Sequence, residues 1–294
     1  MEPYLKNIIL REGDPFCPSL ENRVAYQWER EISLLTVWMD RERNRNIFRI
    51  VENEIRRAQG SGEKNIHILD VGCAYGNHIF MLNAKLLKNQ DLHFSGVELN
   101  NNPLRFAASF REAVPGFKNC DFILCNIEEG LCFKDGQFHI VLLSDLIEHL
   151  REPTEALKEI SRVLRKGGKV ILTSPLRNSI FKTVSSVLSR LTFGLLQKRY
   201  YEGGTKMSAD IEKDDKPEFG YGHISEMNLR EYLWAGKNAG LRAVEIIPAS
   251  IFSGSMFFDR HPFLLTCLMF LEAVHRVLKF KSWAHGIQIV FVKE

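Results

Sequence analysis

The sequence predicts an α/β protein built on an open, mostly parallel sheet, and three observations carry that reading. From residue 66 onward, short apolar runs near 66–71, 93–98, 121–126, 138–143 and 168–174 alternate with helical stretches near 76–89, 103–113 and 153–165. Strands covered on both faces are written as near-continuous apolar runs, and a βαβα order builds a parallel sheet. The stretch 66–80, IHILDVGCAYGNHIF, reads as a buried strand, a sharp glycine turn and the start of a helix. Finally, Glu98, Asn126 and Asp145 all fall at the carboxyl ends of predicted strands, where open α/β sheets bind their ligands.

Length and charge bound the function. The chain has 294 residues and a formal net charge of +3, enough for one large α/β domain or two small ones. No long basic run or basic–aromatic interleaving marks a nucleic-acid surface. The six cysteines, Cys17, Cys73, Cys120, Cys125, Cys132 and Cys267, show no C-x-x-C spacing and no histidine that completes a zinc pattern. Inert thiols in a reducing compartment are expected. Residues 1–18 do not read as a secretory segment, and no apolar run reaches the roughly 18 residues of a spanning helix. A soluble, cytoplasmic protein is expected, as a monomer or homodimer.

Taken in order, residues 1–62 form a helical cap. Two amphipathic helices are predicted, over 21–39 (Trp28, Ile32, Leu35, Trp38, Met39) and 41–59 (Ile47, Ile50, Val51, Ile55), from apolar residues at helical spacing. The α/β domain occupies 63–294. Pro103 and Pro153 suit first-turn positions of their helices. Residues 176–224 break the rhythm with a helix over 179–196 and a polar, glycine-containing stretch with a charge run at 210–216. An insertion of that length leaving the carboxyl end of a strand is expected to be a substrate lid. A helix over 226–239, a strand over 241–248 and a last strand over 286–293 complete the sheet. Between those strands lies an apolar insertion, 250–282, with a stripe of Leu264, Leu268, Leu271, Val274 and Leu278 ahead of Arg276, Lys279 and Lys281. Core packing is the first reading of that stripe; a pocket wall or a peripheral membrane contact is the second.

The residues at the strand ends have definite chemistry. Glycines in the turn after Asp70 admit positive φ or a close ligand, and the following helix offers unpaired N–H groups. Asp70 serves equally as a cap of that turn. Glu98 can accept both hydrogens of a ribose diol, which suits a dinucleotide enzyme as well. The turn Gly72-Cys73-Ala74-Tyr75-Gly76 lacks the G-x-G-x-x-G spacing of such enzymes, which weakens an NAD-dependent reading. Asn126 can pair with a purine edge, with Ile127 against the ring, or can cap a surface turn. Asp145 can meet a ligand ammonium or the substrate, with Glu148 and His149 a turn later.

ILDVGCAYGNHI, GVELN, FILCNIEEGLCFKDGQFHIVLLSDLIEHL and LRKGGKVILTSP, in that order, resemble the class I S-adenosylmethionine-dependent methyltransferases. The group that includes the ubiquinone-biosynthesis O-methyltransferases is the most similar. The likeness spans residues 66–175, and GHISEMNLREYLWAGKNAGLRAVEII extends it to 248. It implies a Rossmann-like fold with a mostly parallel seven-stranded sheet, and S-adenosyl-L-methionine as cofactor. It implies further that Asp70, Gly72, Cys73, Ala74 and Gly76 cradle the methionine part. Glu98, with Leu99 beside it, would hold the ribose, Asn126 and Ile127 the adenine, and Asp145 the ammonium end. Asn126 replaces the family's usual Asp, and Ala74 a frequent glycine.

Methyl transfer depends mainly on alignment in a dry pocket, and a hydroxyl acceptor gains from a nearby base. His149, His223 and His78 are the candidates. No set of acidic metal ligands is assignable, so a metal-free site is the expectation. Phe181, Phe193, Tyr200, Tyr201, Tyr221, Phe252, Phe257 and Phe258 point to a partly apolar small-molecule acceptor. N- or C-methylation of a natural product or sugar, NAD-dependent oxidation and a non-catalytic scaffold are the competing readings.

Overall fold

A computed structural model describes residues 34–86, 91–114, 116–191, 223–252, 261–281 and 283–294. Trp28, Ile32, Phe193, Tyr200, Tyr201, Tyr221, Phe257, Phe258, Cys17 and the charge run at 210–216 lie outside those residues.

The described residues begin with one helix, α1 (Leu34–Gly60), of 27 residues. The sequence pattern places a break between two helices near residue 40, but Asp40, Arg41, Glu42 and Arg43 contain no helix breaker and the helix runs straight through them. Ile47, Phe48, Ile50, Val51, Ile55 and Ala58 are buried in the same cluster as Ile66 and Ile68 of the first strand. Ion pairs tie this helix to distant elements: Glu54 to Lys169 at 2.6 Å, Arg49 to Glu245 at 2.7 Å and Glu42 to Arg276 at 3.2 Å.

Beyond it run β1 (Ile66–Val71), α2 (Asn77–Leu86), β2 (Leu92–Glu98), α3 (Asn101–Ala113), β3 (Cys120–Leu124), β4 (Phe138–Ser144), α4 (Pro153–Val163) and β5 (Leu164–Pro175). The chain continues through α5 (Ile180–Leu191), α6 (Leu229–Asn238), β6 (Leu241–Pro248), α7 (Pro262–Leu278) and β7 (Gly286–Lys293). The seven strands form one sheet in the order β3-β2-β1-β4-β5-β7-β6. β1 through β5 pair in parallel and β7 lies antiparallel between β5 and β6. This is the Rossmann-like, mostly parallel seven-stranded sheet that the resemblance implies. Alternate strand residues face opposite cores, as the period of two demands. Ile68, Ile140 and Ile171 pack with α1, α2 and α3, while Leu69, Val141 and Leu172 pack with α4 and α6.

Three boundaries differ from the sequence reading, each for a local reason. β3 ends at Leu124, because Asn126 already caps the next helical turn, 127–129. β5 starts at Leu164, which pairs with Phe138 before the register shift across Gly167 and Gly168. α6 starts at Leu229, because Asn228 accepts from the Glu231 N–H while the Glu231 carboxylate accepts from the Asn228 N–H, a reciprocal capping box.

The stripe on α7 overturns the core-packing expectation. Leu268 is buried, but Leu264, Leu271, Val274 and Leu278 are exposed, as are Phe263 at 84%, Phe270 at 68% and Val277 at 79%. The inward face carries Leu265, Leu268, Glu272 and His275. Two polar groups turn the helix that way. Glu272 accepts from the backbone N–H groups of Ile251 and Phe252 at 2.8 and 2.9 Å, and the His275 ring meets the Ala249 carbonyl at 3.1 Å. These bonds satisfy backbone groups of the 249–252 loop that would otherwise be buried without partners.

Burial pushes the Glu272 carboxyl up to about 7, against the pull of its two backbone donors. Between an unfolded value of 4.5 and about 7, the native state therefore holds a proton that the unfolded chain has released. This contribution is present below pH 4.5 and is lost as pH rises through 7, a change of about 2–3 kcal/mol. Glu272→Gln keeps the amide oxygen as acceptor and removes the titration. Thermal melts should show the mutant gaining on the wild type between pH 5 and pH 8; a constant difference across that range would contradict the assignment.

Candidate active site at the carboxyl edge of the sheet

The chain leaves β1 toward β2 on one side and leaves β4 toward β5 on the other. That reversal opens a crevice above the carboxyl ends of β1 and β4. The turn after β1 crosses its floor. Gly72, Ala74 and Gly76 all have positive φ, at 73°, 45° and 78°. The N–H groups of Gly72 and Cys73 donate to the Val97 carbonyl at 2.8 and 3.0 Å, which pins the turn to β2. A Cβ on Gly76 would stand 2.8 Å from Phe122 and 2.9 Å from Phe80, so that glycine is required for packing as well as for φ. Ala74 has no such freedom. A left-handed alanine costs roughly 1–2 kcal/mol, partly offset in glycine by chain entropy. Ala74→Gly should therefore stabilise the fold by about 0.5–1 kcal/mol, raising the melting midpoint by roughly 1–4 °C; an unchanged or lower midpoint would contradict this reading of the turn.

Glu98 closes β2 and grips the turn from the side. One carboxylate oxygen accepts from the Ala74 N–H and the other from the Asn100 N–H, both at 2.9 Å. Each oxygen keeps a further lone pair for a ligand. Leu99 beside it is 39% exposed, an apolar side chain open to a flat ring. Asn126 lies two residues beyond β3, where its side-chain oxygen accepts from the Glu128 N–H at 3.0 Å and its amide donates to Glu129 at 2.9 Å. The structure thus shows the capping role that the sequence allowed for Asn126. Ile127 is buried in the core below it.

Asp70 is 1% exposed, and its Oδ2 has no hydrogen-bond partner. His78 Nδ1 stands 3.7 Å from that oxygen, and Nε2 lies 3.2 Å from the Asn44 side-chain oxygen. A buried carboxylate oxygen left open beside a backbone turn suits a cationic ligand. The crevice thus offers an open carboxylate oxygen on Asp70, a second carboxylate on Glu98 and an exposed apolar side chain on Leu99.

Asp145, just past β4, has φ 49° and is held by Thr173, whose Oγ1 donates to it at 3.0 Å. Its other oxygen is paired with Arg43 of α1. Arg43 also meets Asp40 at 3.0 Å. Burial disfavours the Arg43 charge, but Asp145 and Asp40 outweigh it and hold the guanidinium above its ordinary value. Sequence reasoning missed Asp40, Arg43 and Asn44. They belong to a charged run on a helix, and no spacing shows that α1 reaches the crevice.

A second polar group forms beyond β4. Glu148, His149 and His223 each offer a ligand atom within 4.8 Å of the others, and the two imidazoles stand edge to face with centroids 5.0 Å apart. Segments far apart in sequence meet here because the N–H groups of Ile224 and Ser225 donate to the Glu148 carbonyl at 2.9 and 3.0 Å. Glu148 is buried, and Ser174, itself 2.6 Å from the Tyr232 hydroxyl, donates to its carboxylate at 3.0 Å. Burial, with Asp145 nearby, pushes that carboxyl up to about 8. His223 Nδ1 meets Glu226 at 2.7 Å, and Lys182 of α5 neutralises Glu226. Of the three candidate histidines, His149 and His223 therefore come together, while His78 lies against Asp70 and Asn44. Ser174, Lys182, Glu226 and Tyr232 had no signal in the sequence, because only the folded chain brings them to this point. The Cys73 thiol in the turn after β1 is inert, because burial drives it well above its usual range.

Comparison with known proteins matches residues 62–214 to a family described as a methyltransferase domain. A demethylmenaquinone methyltransferase from Chlorobaculum tepidum is 30% identical over 179 residues, spanning 60% of this chain and 67% of the relative. A ubiquinone biosynthesis O-methyltransferase from Erwinia tasmaniensis is 24% identical over 112 residues, 38% of this chain and 43% of that protein. Among solved structures, a putative sarcosine dimethylglycine methyltransferase from Galdieria sulphuraria superposes with a TM-score of 0.52 at 13% identity, covering 84% of this chain and 86% of that one. This last likeness shows the fold alone.

Proposed function

Because the chain belongs to the methyltransferase domain family, the class I S-adenosylmethionine-dependent methyltransferases, we propose that it moves a methyl group from S-adenosylmethionine to a hydroxyl of a partly apolar small molecule. The observation that carries the acceptor reading is the group Glu148, His149 and His223, set just past β4 beside the cofactor crevice. It supplies a proton-accepting end to the site, which a hydroxyl needs and a pre-formed carbanion or free amine does not. Family membership sets aside the NAD-dependent reading.

The cofactor's methyl group is already activated by its sulfonium. This chain's contribution is to hold the donor through Asp70, the 72–76 turn, Glu98, Leu99, Asn126 and Ile127, and to align the acceptor oxygen behind the methyl. Asp145, already balanced by Arg43, orients the ammonium end without adding a net charge to the crevice. His149 and His223 receive the hydroxyl end of the acceptor. One matched relative is named a ubiquinone biosynthesis O-methyltransferase and another a demethylmenaquinone methyltransferase, and a quinol carries both a hydroxyl and an apolar tail. The exposed apolar face of α7 supports peripheral contact with a membrane that holds such a molecule; among the described residues no helix is long and apolar enough to cross one.

The test is transfer of a labelled methyl group to three acceptors: a catechol with a prenyl tail, the same catechol without it, and the matching aromatic amine. The label should appear on oxygen, faster with the tail than without. Label on the amine alone would overturn the hydroxyl assignment, and equal rates with and without the tail would overturn the apolar one.

A further inference from the structure

We propose that Cys125 and Cys132 form a redox-active thiol pair, and that its closure into a disulfide weakens the adenine end of the cofactor site. The inference rests on the cofactor reading above, in which Asn126 and Ile127 stand at the adenine.

Placement is the first argument. Cys125 directly follows β3 and directly precedes Asn126, and its N–H donates to the Glu98 carbonyl at 3.0 Å. The chain then makes the short helical turn 127–129 that Asn126 caps, passes Gly130 with φ 103° and reaches Cys132. That path brings the two thiols within hydrogen-bond reach of each other, and the Cys132 N–H also meets the Cys125 sulfur.

Anchoring is the second. Cys125 is tied to β2 through the Glu98 carbonyl. At the other end the Leu131 N–H donates to Glu159 of α4 at 2.7 Å, and Arg162 donates to the carbonyls of Leu131 and Phe133 at 3.0 and 2.9 Å. A disulfide holds its sulfurs at about 2.05 Å, far closer than two free thiols approach. With both ends held from outside, the loop between them must give. The Cys125 sulfur also leaves the Gly130 carbonyl, which it meets at 3.4 Å as a thiol. The segment that moves is the one carrying Asn126 and Ile127.

Access is the third. Cys132 is exposed and Cys125 half-buried, whereas Cys73 and Cys120 are buried. A redox-sensing cysteine is accessible and stands beside a partner that resolves it. In a reducing compartment such a bridge is transient and regulatory.

The exchange balances with a small disulfide, oxidised glutathione, as oxidant. The Cys132 thiolate attacks one glutathione sulfur, the oxidant's sulfur–sulfur bond breaks and one glutathione thiolate leaves. The Cys125 thiolate then attacks the Cys132 sulfur of the mixed disulfide and expels the second glutathione. The protein thiols are oxidised by two electrons, the oxidant is reduced by two, and the protons given up by the cysteines end on the glutathione thiols. Burial, with the Cys132 thiol and Glu159 alongside, raises the Cys125 thiol above its ordinary value, so the second step quickens as pH rises from about 7 to about 9.

Full-length protein equilibrated with oxidised glutathione should lose the mass of its two thiol hydrogens, and cleavage at Glu128 and Glu129 should leave the Cys125 and Cys132 fragments joined. The bridged form should bind S-adenosylhomocysteine roughly three- to tenfold more weakly by calorimetry, the scale of one lost hydrogen bond, and dithiothreitol should restore the tighter binding. Cys132→Ser should bind as the reduced wild type does and be indifferent to the oxidant. Failure of the native chain to form this bridge, a bridge to Cys267 in its place, or unchanged affinity in the bridged form would overturn the proposal. If Asn126→Ala binds S-adenosylhomocysteine as tightly as the wild type, yet still forms the bridge and loses affinity on oxidation, the adenine assignment of Asn126 falls and the thiol pair is supported.

Discussion

Replacing Glu98 by alanine is expected to weaken S-adenosylmethionine binding by about 2–4 kcal/mol, roughly 30- to 1000-fold in dissociation constant. Two losses combine. The ribose hydroxyls lose a charged acceptor, worth about 1.5–3 kcal/mol for hydrogen bonds to a charged group. The Ala74 and Asn100 N–H groups lose the carboxylate that each holds at 2.9 Å, so the turn proposed to cradle the methionine part is no longer pinned from this side. Glu98→Gln separates the two losses. Its amide oxygen keeps one of the backbone bonds, and its binding should fall between those of wild type and alanine. Calorimetric titration with S-adenosylhomocysteine measures all three, with circular dichroism as the check on folding. An alanine variant that is folded and binds as tightly as the wild type would remove Glu98 from the site.

Gly96→Val is expected to destabilise the fold by about 3 kcal/mol or more, at the upper end of what overpacking costs. Gly96 lies in the middle of β2, opposite Asp70 of β1 and Phe122 of β3. A Cβ there would stand 2.7 Å from Cys73 Sγ, 2.9 Å from Ile79 and 3.0 Å from Phe122. Valine adds two more methyl groups to a space already overfilled by the first. Cys73 and Ile79 flank the glycine turn, so the strain falls on the cofactor cradle as well as on the core. Equilibrium denaturation in urea should show the midpoint falling with little change in slope. The double variant Gly96→Ala with Cys73→Ala, which frees the most crowded contact, should recover much of the loss seen in Gly96→Ala alone. If Gly96→Val were as stable as the wild type, the close packing of β2 against the turn would be wrong.

The parts of this molecule that follow from local chemistry were legible in the chain. The inner strands β1, β2 and β4 announce themselves as apolar runs, because a strand covered on both faces has few polar positions to confuse the period. Asp70, the glycine turn and Glu98 were legible for a related reason: a turn at a strand end needs glycine, and a carboxylate at the next strand end has few other uses. The parts that depend on long-range contacts were not. In α7 the residues that face inward include Glu272 and His275, because a loop 20 or so residues away in sequence needs their acceptors; hydrophobicity alone points to the opposite face. Arg43 meets Asp145 across 102 residues of sequence, and His149 meets His223 because Glu148 binds the backbone of the returning segment. Asn126 was left open by the sequence, since its side chain suits a purine edge and a turn cap alike, and the fold shows it capping.

In the proposed reaction the crevice above β1 and β4 binds S-adenosylmethionine through the turn and Glu98, and presents its methyl group to an acceptor hydroxyl held by the histidine pair. Incubation of the full chain with S-adenosylmethionine labelled in the methyl group and a prenylated catechol, followed by mass spectrometry and NMR of the product, tests it most directly. The account predicts a single labelled methyl on a catechol oxygen, with the rate falling sharply in the Glu98→Ala variant. A labelled product formed equally well by Glu98→Ala, or a label found on carbon, would contradict it.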